Sequence, residues 1–291
     1  MEKKRNKKEK PIKFGKKTKI GLALGGGGGL GIAHIGALKA FEELGINFDY
    51  VAGTSAGSIV GALYAFGKTS DQMLEIAKTI NPKKIRNSKL IIRPSSTRGI
   101  EQILLDAFGK DLVFSELKKP LTVVSVNLLN GKEVHITSGS VAHAVAGSAA
   151  VPGIFRPVEY EDMHLVDGGI RNNLPADVVR DMGAKIVIAV ELNYSRGFGT
   201  TEMGMLGVLK GALGIMMSAG VESKLPFADI VIQPDMREFA KTNLKHFEDR
   251  YMLGYNAVMA SKKEILNILK AKPAKSKMKI VRQLECEEHT N

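Results

Sequence analysis

One serine lies where the chain pattern suits a nucleophile. Gly53, Ser55 and Gly57 form the pattern G-x-S-x-G, after a strand-like run and before a helical pattern of small residues. A turn of this kind strains the serine backbone, lifts Oγ above the sheet, and needs the two glycines for close passage of the chain. The same pattern also arises by chance as a helix-packing turn. The strand before it and the helix after it favour Ser55 as a nucleophile.

A run of five glycines, residues 25–29, separates an apolar strand pattern from the next helical pattern. Backbone N–H groups in such a loop can converge on an anion at a helix N-terminus. Gly26, Gly28 and Gly31 also match the dinucleotide fingerprint G-x-G-x-x-G. No acidic residue ends a second strand in the manner that this fingerprint needs, and no Gly-Lys-Ser/Thr follows. A nucleotide site is therefore the weaker interpretation.

An oxyanion hole explains the glycine run better. The ends of the first two strands should lie side by side in a parallel sheet, which would place loop amides opposite Ser55 Oγ. We expect the amides of Gly26, Gly27 and Gly28 to stabilise negative charge there.

A carboxylate is the third candidate group. Asp167 follows an apolar strand pattern and precedes Gly168 and Gly169. Taken alone, this is an Asp-Gly turn with a structural role. Paired with Ser55, Asp167 becomes a candidate base that takes the hydroxyl proton and returns it to the leaving group.

A catalytic triad would also need a histidine. Four of the six histidines come into question: His34, His164, His246 and His289. The first two lie near the loops in sequence but have plain packing or surface explanations, and the other two lack a presenting turn. A Ser–Asp dyad of Ser55 and Asp167 is the more economical prediction.

Alternating apolar patterns predict the elements that carry these motifs. Strands are expected at residues 19–24, 50–53, 121–128, 133–137 and 185–191. Helices are expected at residues 32–44, 70–80, 98–108, 140–148, 176–182 and 246–270. Residues 203–217 carry one charge and four methionines, which suits either a core helix or a lid or lipid-contacting helix. From residue 273 the chain is polar, and we expect a loosely held tail.

Charge and composition favour one α/β unit with a basic arm. The chain has 291 residues, 44% hydrophobic, and a formal charge of +12, of which residues 1–19 hold +8. Such an arm suits an anionic surface or a solubilising role. The single cysteine, Cys286, excludes an intrachain disulfide and fits a reducing compartment. Glycines within residues 20–38 argue against a signal peptide or membrane span there. No metal-type spacing is visible.

With these blocks in place, the chain resembles the patatin-like phospholipases, in particular their compact bacterial members. The resemblance covers about residues 19–193, and more weakly to about residue 260. Its motifs are the glycine loop at 26–31, the elbow at 53–57, Asp167-Gly168-Gly169 and the connecting stretch at 146–158.

The resemblance implies a serine nucleophile at Ser55, an aspartate base at Asp167, and an oxyanion hole from the glycine loop. It also implies a three-layer α/β/α fold with a mainly parallel sheet, and hydrolysis of lipid acyl esters without a metal or other cofactor. Leu30 departs from the pattern, because the family usually has Arg or Lys there. Backbone donors do not depend on that side chain, but an extra positive charge near the ester would be missing.

We therefore expect a serine-dependent lipid acyl hydrolase, a phospholipase A or lysophospholipase-type esterase, at residues 19–270. Residues 1–18 would be the basic arm and residues 271–291 the polar tail. An acyltransferase would use the same parts, and a non-catalytic membrane-binding module is the alternative of another class. The expected partners are a phospholipid or other acyl ester and an anionic membrane surface, with no nucleic acid. The expected location is the cytoplasm, including the periphery of the inner membrane face.

Deletion of residues 1–17 should weaken binding to anionic vesicles and leave hydrolysis of a soluble short-chain ester nearly unchanged. Each basic residue near an anionic surface contributes about 1 kcal/mol, and salt screens that attraction within about 8–10 Å. Vesicle sedimentation across a salt series, beside the soluble-ester assay, measures both effects. Equal vesicle binding with and without the arm would leave it a solubilising segment.

Overall fold

The computed structural model describes residues 18–80, 94–193, 203–239, 247–270 and 279–282. Within these ranges nine strands form one sheet. The strands are β1 (Ile20–Leu24), β2 (Tyr50–Thr54), β3 (Leu121–Asn127), β4 (Lys132–Ile136), β5 (Val158–Tyr160), β6 (Met163–Asp167), β7 (Ile186–Val190), β8 (Ile230–Gln233) and β9 (Lys279–Arg282).

The helices of the same ranges are connected to the strands in alternation over much of the chain. They are α1 (Ile32–Glu43), α2 (Ala56–Phe66), α3 (Ser70–Thr79), α4 (Arg98–Phe108), α5 (Val141–Ser148), α6 (Ala176–Asp181), α7 (Met205–Lys224), α8 (Phe247–Ala260) and α9 (Lys262–Lys270). The helices and strands expected up to residue 191 are present, with shifts of one or two residues at their ends.

The sheet is mixed and mostly parallel, as expected. Its order is β5-β6-β3-β2-β1-β7-β8-β9, with β4 beside β3. The neighbouring strands β3, β2, β1, β7, β8 and β9 are all parallel. Strands β4, β5 and β6 pair in antiparallel fashion. The carboxyl ends of β1 and β2 therefore meet at one edge, where Leu24 pairs with Gly53.

Both faces of the sheet are covered, which makes three layers. Side chains alternate along a strand, so Leu22 and Leu24 join one apolar cluster and Ala23 joins the other. The larger cluster includes buried residues of α1 to α5, α8 and α9, and the smaller one includes buried residues of α6 and α7. The expected α/β/α arrangement is confirmed.

The C-terminal part differs from the sequence prediction. The single helix expected at residues 246–270 is two helices, because Ser261 interrupts it and its Oγ bonds to Ala257 O at 2.7 Å. Lys279–Arg282, in the segment expected to be a loosely held tail, forms β9 and pairs with β8. Residues 1–17, the expected arm, lie outside the described residues.

None of the helices in the described ranges is apolar over a length sufficient to cross a membrane.

Two glycines allow α2 to pack directly on the ends of β1 and β2. A Cβ atom on Gly57 would overlap the carbonyl oxygen of Leu24 and lie 2.7 Å from that of Gly25. A Cβ atom on Gly53 would lie 2.5 Å from Gly57 O. Contacts this short leave no room for any side chain, so both glycines of the G-x-S-x-G pattern are required by packing.

The substitution Gly57→Ala should lower the free energy of unfolding by about 1–3 kcal/mol, the usual cost of overpacking. The matched control is Gly204→Ala, because a Cβ atom there meets nothing within 4 Å. The control should stay within about 0.5 kcal/mol of wild type. Urea unfolding of the three proteins measures the difference, and equal destabilisation of both variants would contradict the close contact at Gly57.

Candidate active site

Ser55 occupies the strained turn that the sequence predicts between β2 and α2. Its φ is 52° and its ψ is −123°, and it is one of two non-glycine residues with positive φ in the described ranges. Ser55 N donates to Ser148 Oγ at 2.9 Å, and Ser58 Oγ donates to Ser55 O at 2.6 Å. These bonds hold the strained backbone, because a conformation of this type persists only where its surroundings fix it.

Asp167 ends β6 and is buried close to Ser55. Its Oδ1 accepts from the Gly169 amide at 2.8 Å. Burial raises the pKa of Asp167 to about 6, and hydrogen bonding from Ser55 and from the Gly169 amide offsets part of that rise. Oδ2 has no hydrogen-bond partner among the described residues. The carboxyl group is therefore held in a low-dielectric setting, close enough to Ser55 for the serine to influence its pKa.

The end of α5 and the first residues after it connect the two candidate catalytic residues. Ser148 accepts from Ser55 N, and Ala150 O accepts from Asp167 N at 3.0 Å. Ser148 Oγ also donates to Val124 O, which ties the segment to β3. Two residues of one short segment thus set the spacing between the turn at Ser55 and the end of β6.

The glycine loop passes directly beside the serine. A Cβ atom on Gly26 would lie 3.4 Å from Ser55 Cβ. The Gly26 amide, however, donates to Asn173 O at 3.0 Å. Gly26 was expected to supply an oxyanion donor, and this bond already occupies its N–H group. The amides of Gly27 and Gly28, the other two expected donors, have no backbone acceptor among the described residues, and Gly28 has the glycine-favouring φ of 57°.

Two asparagines hold the loop in place. Asn193 Nδ2 donates to Gly26 O at 2.7 Å. Asn173 is 1% exposed, and its side-chain amide has no hydrogen-bond partner among the described residues. A Cβ atom on Gly26 would overlap Asn173 Oδ1, and one on Gly169 would lie 2.7 Å from the same atom. Asn173 therefore lies between the glycine loop and the turn after Asp167.

Arg250 brings a positive charge to the loop from α8. It is 1% exposed, its Nη1 donates to Gly29 O at 3.3 Å, and its guanidinium lies over the Phe239 ring. Leu30, at the position where a basic residue was expected from the family pattern, is fully buried. The charge near this loop thus comes from another part of the chain.

The two candidate histidines in the described ranges do not complete a triad. His34 is fully buried, its Nε2 donates to Gly25 O at 2.7 Å, and burial lowers its pKa to about 4. It is therefore neutral at pH 7 and holds the start of the glycine loop. His164 lies three residues before Asp167 on the same strand. Because side chains alternate along a strand, the two side chains project from opposite faces of the sheet. His246 and His289 lie outside the described residues.

An apolar cavity of about 340 Å³ opens beside Ser55. Apart from the serine and glycines its lining is hydrophobic, drawn from α1 to α4 and from the segment after α5. The larger lining residues are Ile32, Ile35, Ile59, Leu63, Met73, Ile76, Ile80, Ile100, Ile103, Ile154 and Phe155. Such a cavity suits an aliphatic chain, since it offers a polar reacting group at one point and apolar walls elsewhere. No cluster of His, Cys, Asp or Glu suited to a metal ion occurs in the part of the chain that the structure describes.

Sequence reasoning missed three of these residues. Asn173 follows Asp167 closely in the sequence. Asn172 and Asn173 form a polar pair before apolar residues, and this pair was a visible signal to which no role was assigned. Ser148 looks like any small residue of a packed helix. Arg250 has no local signal, because only the fold brings α8 to the glycine loop.

The fold and this geometry define a class of protein: an α/β/α molecule with a serine on a strand-to-helix turn beside a buried carboxylate. The model of the patatin-like phospholipase family matches residues 22–180. The chain belongs to the patatin-like phospholipase family.

Individual relatives are similar over part of their length. An uncharacterized NTE family protein of Mycobacterium tuberculosis is 36% identical over 184 residues, which cover 61% of this chain and 50% of the relative. Patatin-like phospholipase domain-containing protein 6 of Mus musculus is 32% identical over 232 residues, covering 75% of this chain and 16% of the relative. The chain thus spans half or less of the length of these curated relatives.

Solved structures share the fold. VipD from Legionella pneumophila superposes with a TM-score of 0.54 at 17% identity, covering 91% of this chain and 72% of VipD. Human GIVD cytosolic phospholipase A2 gives a TM-score of 0.51 at 11% identity, covering 87% of this chain and 60% of that protein.

Replacing Asp167 by Asn should stabilise the protein at neutral pH. Burial raises the pKa of Asp167 from 3.8 to about 6, so the folded state favours the protonated form. That favourable contribution is complete below about pH 4 and is lost as the pH rises through about 6. A pKa shift of one unit corresponds to about 1.4 kcal/mol. Asp167→Asn should therefore raise the free energy of unfolding by on the order of 2–3 kcal/mol at pH 7.5.

Urea unfolding at pH 4 and pH 7.5 measures the gain, with the exposed Asp162→Asn as the control. The advantage of Asp167→Asn should shrink at pH 4, and the control should change little at either pH. A loss of stability at pH 7.5 would contradict the raised pKa.

Proposed function

We propose that this protein is a serine-dependent lipid acyl hydrolase that uses a Ser55–Asp167 dyad. The observation that carries the proposal is the turn at Ser55: its hydroxyl lies between a buried carboxylate and an apolar cavity. A polar nucleophile with a base on one side and room for an aliphatic chain on the other matches an acyl ester. Membership in the patatin-like phospholipase family supports the same chemistry.

In the acylation step, Ser55 Oγ attacks the ester carbonyl carbon and its proton passes to Asp167. The carbonyl π electrons move onto oxygen, and the amides of Gly27 and Gly28 are the proposed donors to that oxyanion. The C–O bond to the alcohol then breaks, and the alcohol oxygen takes the proton from Asp167. The product is an acyl-enzyme at Ser55 and a free alcohol or lysolipid.

In the deacylation step, Asp167 takes a proton from a water molecule whose oxygen attacks the acyl carbon. The bond to Ser55 Oγ breaks, Oγ regains the proton, and the fatty acid leaves. A carboxyl group with a pKa near 6 suits both directions of transfer, because it lies close to neutral pH.

The apolar lining of the cavity suits the hydrocarbon chain of an acyl group. Phospholipids and lysophospholipids at an anionic membrane surface are the substrates that we propose, in a protein acting at the cytoplasmic face.

Ser55→Ala should abolish ester hydrolysis, and Asp167→Asn should reduce it by about 10²–10⁴-fold, the usual range for a positioned general base. A fluorophosphonate probe should label the wild-type protein at Ser55 alone. Ser115→Ala, a change at an exposed serine, is the control and should retain wild-type turnover. Labelling of another serine, or unchanged turnover in Ser55→Ala, would contradict the nucleophile assignment.

The same assay separates hydrolysis from acyl transfer. With a lysophospholipid and added glycerol, free fatty acid should be the main product. Acylated glycerol as the main product would instead identify an acyltransferase.

A further inference from the structure

Over residues 205–216, helix α7 buries its glycines and exposes five large apolar residues. Gly207, Gly211 and Gly214 are buried, at the three- and four-residue spacing of one helix face. The opposite face is exposed and carries Met205, Val208, Leu209, Ile215 and Met216, whose exposed fractions range from 50% to 78%. We call these five residues the apolar face of α7. A helix at a protein surface normally has the reverse arrangement.

The composition of this segment makes the exposure costly. From Met203 to Ala219 the only charged residue is Lys210, so little in this stretch favours contact with water. Met203, just before the helix, is itself 75% exposed. Exposed apolar surface costs about 25 cal/mol per Å², and contiguous patches of this kind mark interaction sites.

The apolar face belongs to a helix that borders the candidate site. A Cβ atom on Gly169 would overlap Met217 Cε, so α7 touches the turn that follows Asp167. A Cβ atom on Gly220 would lie 3.0 Å from Arg171 O, in the same region. The apolar face therefore belongs to a helix that packs against the turn after Asp167.

We propose that the apolar face of α7 inserts into the interfacial region of a phospholipid membrane. This inference rests on the proposed function, because it takes the substrate to be a membrane lipid. A helix that lies in the interface buries its apolar side chains at the boundary between headgroups and acyl chains. The net charge of +12 complements the anionic surface of such a membrane. The buried glycine side remains against the protein, so binding needs no rearrangement of the core.

Salt dependence distinguishes this contact from that of the basic arm. Apolar insertion does not depend on charge, so the apolar face of α7 should contribute to binding of neutral as well as anionic vesicles. An electrostatic contact is confined to anionic vesicles and fades as the ionic strength rises.

The test compares two double variants matched in residue type. Val208→Gln/Met216→Gln changes the apolar face, whereas Val113→Gln/Met252→Gln changes residues outside α7 that are 38% and 44% exposed. Binding is measured by sedimentation with phosphatidylcholine vesicles, with and without phosphatidylglycerol, in the Ser55→Ala background so that turnover does not alter the lipid. The same double variants with Ser55 intact are assayed on a soluble short-chain ester and on vesicles.

The apolar-face variant should bind both kinds of vesicle roughly tenfold more weakly or worse, at low and at high salt. Its vesicle hydrolysis should fall in parallel while its soluble-ester hydrolysis stays at the wild-type level. The control should match wild type in every assay.

Unchanged vesicle binding in the apolar-face variant would overturn the proposal. Light scattering that shows a dimer in wild type and a monomer in the variant, with vesicle binding intact, would also overturn it and assign the face to contact between two copies. Absence of ester hydrolysis in wild type would instead contradict the proposed function, and the binding measurements would still decide the role of α7.

Discussion

The contact between the start of α2 and the end of β1 determines where the candidate chemistry lies. At Gly57 the α2 backbone approaches the carbonyl groups of Leu24 and Gly25 so closely that no side chain fits. This approach sets the height of Ser55 above the strand ends and places the glycine loop, which begins where β1 ends, beside it. The strained φ of 52° at Ser55 costs about 1–3 kcal/mol and is maintained by bonds to Ser58 and Ser148.

The candidate site also depends on the burial of Asp167. This burial lowers the stability of the folded protein and raises the pKa of the carboxyl group. The groups that lower the pKa of its carboxyl are the Ser55 hydroxyl and the Gly169 amide, and burial outweighs both. A carboxylate held this way destabilises the folded protein at neutral pH, because the charged form is poorly solvated. The same burial keeps its pKa near that of a useful proton acceptor and donor. In the proposed mechanism, the stability lost by burying Asp167 is the condition for its proton transfer near neutral pH.

Sequence reasoning located those parts of the candidate site whose geometry depends on neighbours in the chain. The turn at Ser55, the glycine loop and the Asp-Gly-Gly turn are local patterns, and alternating apolar runs located the strands that present them. It was less successful where a group bonds to a residue that is distant in the sequence. The Gly26 amide looked like a free donor, but Asn173 O, reached only through the fold, occupies it. Arg250 lies far along the chain from Gly29, and β9 pairs with β8 through a segment whose polarity gave no sign of a strand.

Helix α7 shows why periodicity alone could not assign an inner and an outer face. Its glycines and its large apolar residues both recur at three- and four-residue spacing, so either stripe fits a helix against the protein. Burial decides between them: Gly207, Gly211 and Gly214 are buried, whereas Met205, Val208, Leu209, Ile215 and Met216 are exposed. Towards its C-terminal end α7 packs against the turn that follows Asp167, through Met217 and Gly220. The helix is thus held against the candidate site by contacts that do not involve its apolar face, which leaves that face open to a partner.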